Sequence, residues 1–243
     1  MPIQNEFNQA NQQDHIQTLT RNGSLIVARV FTNEEIERIK SMLFDYFKAN
    51  DQQDPYAVRD LLHEIPALKA LILNASLLKI LESIEPDFFL TKAIYFDKTP
   101  GSNWYVTWHQ DIVINVSERI DIPGFNGWTR KGGIHGVVPP DEYLKSTVTV
   151  RIHLDDADES NGALKVIPGS HQKKLSDDEI SQFTQNNIPN TCVVEAGGIH
   201  IMKPLLLHAS SKATGEKHRR VIHLEFNTRD LPNALTWREK QVL

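Results

Sequence analysis

Two segments of the chain alternate polar and apolar residues with the period of a β-strand. In Thr147 to Leu154, Val148, Val150, Ile152 and Leu154 share one face, and Thr147, Thr149, Arg151 and His153 share the other. In Arg219 to Phe226, Arg220, Ile222, Leu224 and Phe226 oppose Arg219, Val221, His223 and Glu225. Each segment has a greasy side and a side of ionisable groups, and periodicity alone leaves open whether those groups face water or an interior. A helical period governs the region before them. Thr32-Asn33-Glu34-Glu35 fits a capping box, and Ile36, Ile39, Leu43, Tyr46 and Phe47 follow at near-helical spacing. A second helical stretch, broken near Pro66, runs from about Pro55 to Ile84, so helical support for a sheet is expected over residues 33–85.

The rest of the pattern sets the organisation. Residues 1–20 are rich in Gln and Asn with little periodicity and are expected to form a flexible N-terminal arm. Asn22-Gly23 marks a turn, after which Ser24 to Val30 reads as a short strand. From Phe88 onward strands alternate with Gly, Pro and Asn punctuation. The stretch 117–145 stands apart as loop-like, with Phe125, Trp128, His135 and Pro139-Pro140, and is expected to be a lid, because long loops in compact domains are commonly functional. With 243 residues there is enough chain for one sizeable core, and residues 21–243 are expected to form a single domain.

Composition narrows the class. The chain is 40% hydrophobic and 23% charged, ordinary values for a soluble protein, and no apolar run is long enough to span a bilayer. The N-terminus lacks the basic and apolar regions of a signal peptide, and Cys192 alone cannot form an intrachain disulfide, which fits a cytoplasmic location. A net charge of -5 offers no general basic field, so no nucleic-acid or membrane partner is expected. The expected partner is a small molecule, and the sequence does not fix an oligomeric state.

The candidate chemistry lies in Trp108-His109-Gln110-Asp111, in Pro204-Leu205-Leu206-Leu207-His208, and in Arg219. Two imidazoles and one carboxylate can bind three corners of one face of a ferrous ion and leave the opposite face open. An arginine held nearby suits the distal carboxylate of a keto acid that chelates the metal. A His-x-Asp pattern alone proves little, because His153-Leu154-Asp155 and His223-Leu224-Glu225 are rivals whose spacing also places both side chains on one strand face.

The wider blocks choose among them. Trp104 to Val113, then Glu159-Ser160-Asn161-Gly162-Ala163-Leu164 running into Pro168-Gly169-Ser170-His171, and finally His208-Ala209-Ser210 with Arg219 to His223 together resemble the phytanoyl-CoA dioxygenase family over roughly residues 90–230. The resemblance implies a mainly β fold with flanking helices, a double-stranded β-helix or cupin-like jelly-roll barrel. It implies His109, Asp111 and His208 as ligands of Fe(2+), Arg219 as anchor of the 2-oxoglutarate distal carboxylate, and Ser210 and Arg151 as further contacts of the keto acid. It also places Arg219 inward, so that Val221, His223 and Glu225 follow it by alternation.

The implied reaction consumes O2 and 2-oxoglutarate, releases succinate and carbon dioxide, and by default hydroxylates a small molecule at an unactivated C–H bond. Asp111 disfavours halogenation, while desaturation and ring closure stay open. The alternative class is a metal-binding jelly roll without oxygenase activity, either a zinc hydrolase or isomerase or a binding module, since zinc accepts the same donors. Arg220 would replace Arg219 if the strand register slipped by one. Trp104, Trp128, His135, His153 and Glu225 are candidates for contact with substrate or lid, and Glu225 and Arg151 have pairing with each other as an equal alternative. The ionisable interior favours a small carboxylate- or amine-bearing substrate over an acyl-CoA, although Trp104, Trp108, Phe125 and Trp128 offer an apolar pocket instead.

Overall fold

The computed structural model describes residues 11–52, 55–99, 103–215, 217–232 and 235–243, together with the backbone of Asn5–Glu6. Its centre is a sheet in the order Asn5–Glu6, Ser24–Ala28, Ile199–Met202, Thr147–His153, Arg219–Asn227, Phe89–Lys98 and Gln241–Val242, with Ala57–Val58 also pairing to Phe89–Lys98. All these pairings are antiparallel except the first. The greasy sides read from the sequence are buried here: Val148, Val150, Ile152, Ile222, Leu224 and Phe226 form one core with Ile36, Ile39 and Leu43 of the helix Asn33–Ala49 and Leu77, Ile80 and Leu81 of the helix Ala75–Ile84. Burying each such side chain contributes about 1.5–3 kcal/mol, so this face is fixed against the helices and the polar face must turn the other way.

The helix Asn33–Ala49 begins with the expected capping box, Thr32 Oγ1 accepting from the Glu35 amide at 3.2 Å and Glu35 Oε2 accepting from the Thr32 amide at 2.8 Å. The second stretch is more broken than its periodicity suggests. It divides into Leu61–Glu64, a 3-10 turn at Pro66–Leu68, Lys69–Ile72 and Ala75–Ile84, the last capped by the Asn74 side chain.

The expected arm is corrected where it is described. Gln12–Asn22 is a helix that buries His15 and Leu19 and ends at Gly23 with φ 74. One narrow stripe is enough to dock a helix, and a composition dominated by Gln, Asn and Thr hides it. Residues 1–4 and 7–10 lie outside the described residues.

A second antiparallel sheet, in the order Asn190–Thr191, Leu164–Val166, His208–Ser210 and Val106–His109, covers the polar face of the first. The two sheets meet directly: Lys98 Nζ, from the first, donates to Ser210 Oγ on the second at 3.2 Å. The fold is the jelly roll with flanking helices that the sequence implies.

The loop-like stretch 117–145 is corrected to a small sheet. Ile114–Val116 pairs with Ile134–Val138, which pairs with Asn126–Lys131, and a short helix, Asp141–Lys145, follows. Gly and Pro there punctuate strands rather than dissolve them. Among the described residues, no helix is long and apolar enough to cross a membrane.

Candidate metal centre

His109 and His208 are directly opposed across the strands Val106–His109 and His208–Ser210. Cross-strand partners stand within about 5.5 Å, and here the ring centroids are 4.1 Å apart. Asp111 lies just past the end of its strand, where its amide donates to the Pro204 carbonyl at 2.8 Å. Its carboxylate then meets both rings, Oδ1 at 3.6 Å from His109 Nε2 and Oδ2 at 3.5 Å from His208 Nε2. Among the described residues, His109, Asp111 and His208 are the one group of three such side chains whose donor atoms converge, all within 4.8 Å of one another.

Both imidazoles are oriented in the same way. His109 Nδ1 is 2.8 Å from the Thr107 carbonyl and His208 Nδ1 is 2.8 Å from the Leu206 carbonyl, so each Nδ1–H donates to a carbonyl two residues back. That fixes the tautomer and leaves each Nε2 lone pair aimed at Asp111, the arrangement a metal ligand needs. Between His109 and Asp111, Gln110 points away and donates to the carbonyls of Lys173 and Leu205 while accepting from the Leu175 amide, which holds the segment in place.

The electrostatics agree with a site built for a cation. Burial alone would raise the Asp111 carboxyl, but the His208, His109 and His223 imidazoles hold it well below the carboxylate range. Burial pushes His208 down to about 4, against the opposing pull of Asp111. His109 goes the other way: burial lowers it, but the hydrogen bond and charge of Asp111 raise it further.

The rival motifs separate. Asp155 forms a bidentate pair with Arg220, at 2.7 Å to both Nε and Nη2, on the helix side of the sheet, while His153 is buried on the opposite side. His223 and Glu225 do touch, at 3.2 Å, but Glu225 is engaged by Lys92 at 2.7 Å. The alternative of a direct Arg151–Glu225 pair gives way to a relay, since Arg151 Nη1 reaches His223 Nδ1 at 3.3 Å and His223 Nε2 reaches Glu225.

The register places Arg219 inward and Arg220 outward. Arg219 is 5% exposed, yet its Nε and Nη1 have no hydrogen-bond partner among the described residues. Burial, and after it the charge of Arg151, push it down to about 9. Ser210 lies on the facing sheet, two residues beyond His208 and on the same face of its strand. Arg151 Nε is likewise buried without a partner.

A cavity of about 360 Å³ opens beside the triad. His109 and Asp111 border it together with Lys92, His223 and Glu225, and the small sheet closes it with Thr129, Lys131 and Ile134. Of the residues expected at the substrate, Glu225 is there. His153 is not; it sits behind, where burial first, and then the charges of Arg151, His200 and Arg219, push its imidazole well below the ordinary range. Trp104 borders a second cavity, of about 490 Å³, with Tyr56, Arg59, Phe96 and Asn103. Trp128 packs on the outer side of the small sheet under Arg119, and His135 does not border either cavity, because alternation turns both away when Thr129 and Ile134 face in.

Lys92, Lys98 and Arg59 are the residues that sequence reasoning missed. A signal existed for the first two. Phe89–Lys98 alternates, so Lys92, Ile94, Phe96 and Lys98 share a face, and two lysines on the inner face of a buried strand call for partners.

No curated protein matches the sequence. Solved structures do match the fold. The non-heme alpha ketoglutarate dependent carbocyclase SnoK from nogalamycin biosynthesis superposes with a TM-score of 0.70 at 14% identity, over 93% of this chain and 86% of that one. AviO1 from Streptomyces viridochromogenes Tue57 gives 0.66 at 21% identity, over 94% and 100%. EctD from S. alaskensis, solved with bound Fe, gives 0.72 at 14% identity, over 94% and 82%. At these identities the likeness shows the fold. A family model for phytanoyl-CoA dioxygenase (PhyH) matches residues 19–221, a span that contains the triad and Arg219, and the chain therefore belongs to this family of iron- and 2-oxoglutarate-dependent oxygenases.

Proposed function

We propose that the chain hydroxylates a small polar molecule at an unactivated C–H bond, with 2-oxoglutarate converted to succinate and carbon dioxide. The observation that carries this reading is Arg219, a buried guanidinium with two unpartnered nitrogens on the inner face, opposite Lys98, whose ammonium reaches Ser210 two residues beyond His208 of the converging His-Asp-His group. Leaving such a group unpaired is costly unless a ligand completes it. A zinc hydrolase has no use for it.

His109 and His208 would hold iron through Nε2, and Asp111 through a carboxylate oxygen. Iron supplies, when bound, the oxygen-activating chemistry that the side chains here lack. The protein's own work is placement. Arg219, assisted by Ser210, takes the distal carboxylate of the keto acid. Ser210 is one alternate position from His208, roughly 6.8 Å along a strand, which suits the length between the chelating and distal ends of a five-carbon diacid.

The substrate occupies the cavity of about 360 Å³, near the lower end of ordinary ligand pockets. Its floor of Lys92, His223 and Glu225 offers donors and an acceptor for a carboxylate- or amine-bearing molecule, while Ile94, Phe96 and Ile134 exclude water. A long acyl chain would be matched by an apolar floor instead.

The test begins without oxygen. Ferrous iron and 2-oxoglutarate added to the protein are expected to give a weak visible charge-transfer band, and a metabolite panel is then screened in air for stimulated succinate and a product heavier by one oxygen atom. No band and no succinate would overturn the reading; succinate with a product lacking the added oxygen would redirect it to desaturation or ring closure.

A further inference from the structure

The paired strands Arg219–Asn227 and Phe89–Lys98 carry two charged cross-strand pairs on their inner face. Glu225 is opposite Lys92, and Arg219 is opposite Lys98. The first is an ion pair at 2.7 Å. The second sets like charges against each other, an arrangement that destabilises a sheet. It does so with no exposure at Lys98 and 5% at Arg219.

Among the described residues no carboxylate is hydrogen-bonded to this second pair, and Asp97 reaches Arg219 only through its charge, a smaller effect than burial and the opposing charge of Arg151. Lys98 Nζ donates to Ser210 Oγ at 3.2 Å and to the Ser211 carbonyl at 2.8 Å, and it lies 5.3 Å from the centroid of the Trp104 ring. These are neutral partners, and a lysine has three donors. Burial, and then the charges of Arg219 and Arg151, push Lys98 down to about 8. Asp97, its neighbour in sequence, points to the other side of the strand and is bonded to His218 at 2.9 Å. The fold also clears space for this lysine: a side chain on Gly162, at φ +73, would come within 3.2 Å of Lys98 Nζ and 2.5 Å of the Ser211 carbonyl.

We infer that Lys98 is a second cation for the distal carboxylate of 2-oxoglutarate, held against it by Ser210 and sharing it with Arg219, and that the doubled charge makes the pocket select a keto diacid over a keto monoacid. The inference rests on the cosubstrate reading above. A single carboxylate has two oxygens and about four lone-pair directions, enough to accept from a guanidinium and an ammonium together. Binding then turns a repulsive cross-strand pair into two attractive contacts.

The experiment is calorimetric titration of the ferrous protein under argon with 2-oxoglutarate and with 2-oxopentanoate, whose methyl group replaces the distal carboxylate. Lys98→Met is expected to weaken 2-oxoglutarate by on the order of ten- to a hundredfold, the range for losing a charge-assisted hydrogen bond, and to leave 2-oxopentanoate within about threefold. Lys98→Gln keeps polar contacts to Ser210 and Ser211 without the charge; it serves if the methionine variant does not fold, and the same selective loss is expected. Lys98→Arg should restore much of the affinity. Equal weakening of both keto acids would mean that Lys98 merely supports the pocket, and no weakening would mean that Arg219 suffices; either overturns the inference. If the unsubstituted protein binds neither keto acid, the cosubstrate reading itself fails.

Discussion

Replacing Arg219 by Met should have effects of opposite sign on stability and on cosubstrate binding. In the protein without ligand, the guanidinium is buried, has Nε and Nη1 unpartnered, and faces Lys98 across the strand pair and Arg151 along the sheet. An unsatisfied buried donor costs about 1–3 kcal/mol, more when charged, and Met fills similar volume with no polar atom. Arg219→Met is therefore expected to stabilise the ligand-free protein by about 1–3 kcal/mol, which is roughly 2–4 °C in melting temperature per kcal/mol for a domain of this size. Binding goes the other way. Loss of a buried guanidinium–carboxylate pair costs about 3–5 kcal/mol, a hundred- to several-thousandfold in affinity.

Arg220→Met is the control: its effect on stability should have the opposite sign and its effect on binding should be absent. Arg220 holds Asp155 through two bonds of 2.7 Å on the helix side, and the side chains are 31% and 16% exposed. Its loss should destabilise by about 1–2 kcal/mol after allowance for screening, with 2-oxoglutarate affinity unchanged. The assay is differential scanning of both variants with and without saturating 2-oxoglutarate and ferrous iron under argon. The unsubstituted protein and Arg220→Met should gain melting temperature on loading, and Arg219→Met should start higher and gain little. If Arg219→Met starts lower than the parent and still gains fully, the orphaned guanidinium is not the anion site.

The remaining predictions concern the metal and the far side of the main sheet. His109→Ala, Asp111→Ala and His208→Ala are each expected to abolish succinate formation and ferrous binding while leaving the fold intact, checked by iron content after gel filtration and by circular dichroism; a variant that retains turnover is not a ligand. Glu239 is buried beside Asp60, accepts from the Ala93 amide, and is raised to about 8, by burial first and then by the Asp60 charge. A folded-state value above the ordinary carboxyl value of 4.5 means that the folded state holds the proton more tightly, so this group's stabilisation is complete below about pH 4.5 and is lost as pH rises towards 8. Glu239→Gln should flatten that decline by up to a few kcal/mol, and parallel melting curves for parent and variant across the window would count against it.

What the sequence made legible follows from how locally each feature is encoded. His109 and Asp111 are two residues apart and their surroundings form recognisable blocks, so the converging triad and the jelly roll are legible in the sequence alone. Strand parity placed Arg219 with His223 and Glu225, and the structure agrees because one face of that strand is filled by Ile222, Leu224 and Phe226. The helix Gln12–Asn22 escaped notice because its buried stripe is only His15 and Leu19 within a polar segment. The stretch around Trp128 looked like a loop because two of its three strands are exposed or short, and exposed strands need no hydrophobic alternation to declare themselves.

The cation pocket was hidden for a different reason. Strand parity marks Lys98 as inward, but its place in a pocket follows only from its pairing with Arg219 and its reach to Ser210 on the facing sheet, contacts between residues far apart in sequence. A one-residue shift in that pairing would turn Lys98 towards the helices and leave Arg219 alone. The register is held by Lys92 and Glu225 at the other end of the same strand pair, where opposite charges meet. One charged pair thus fixes the alignment that leaves the other pair without a hydrogen-bonded carboxylate among the described residues. The same two strands therefore carry both the ionic contact that stabilises the sheet and the unsatisfied charge that stabilises only a bound ligand.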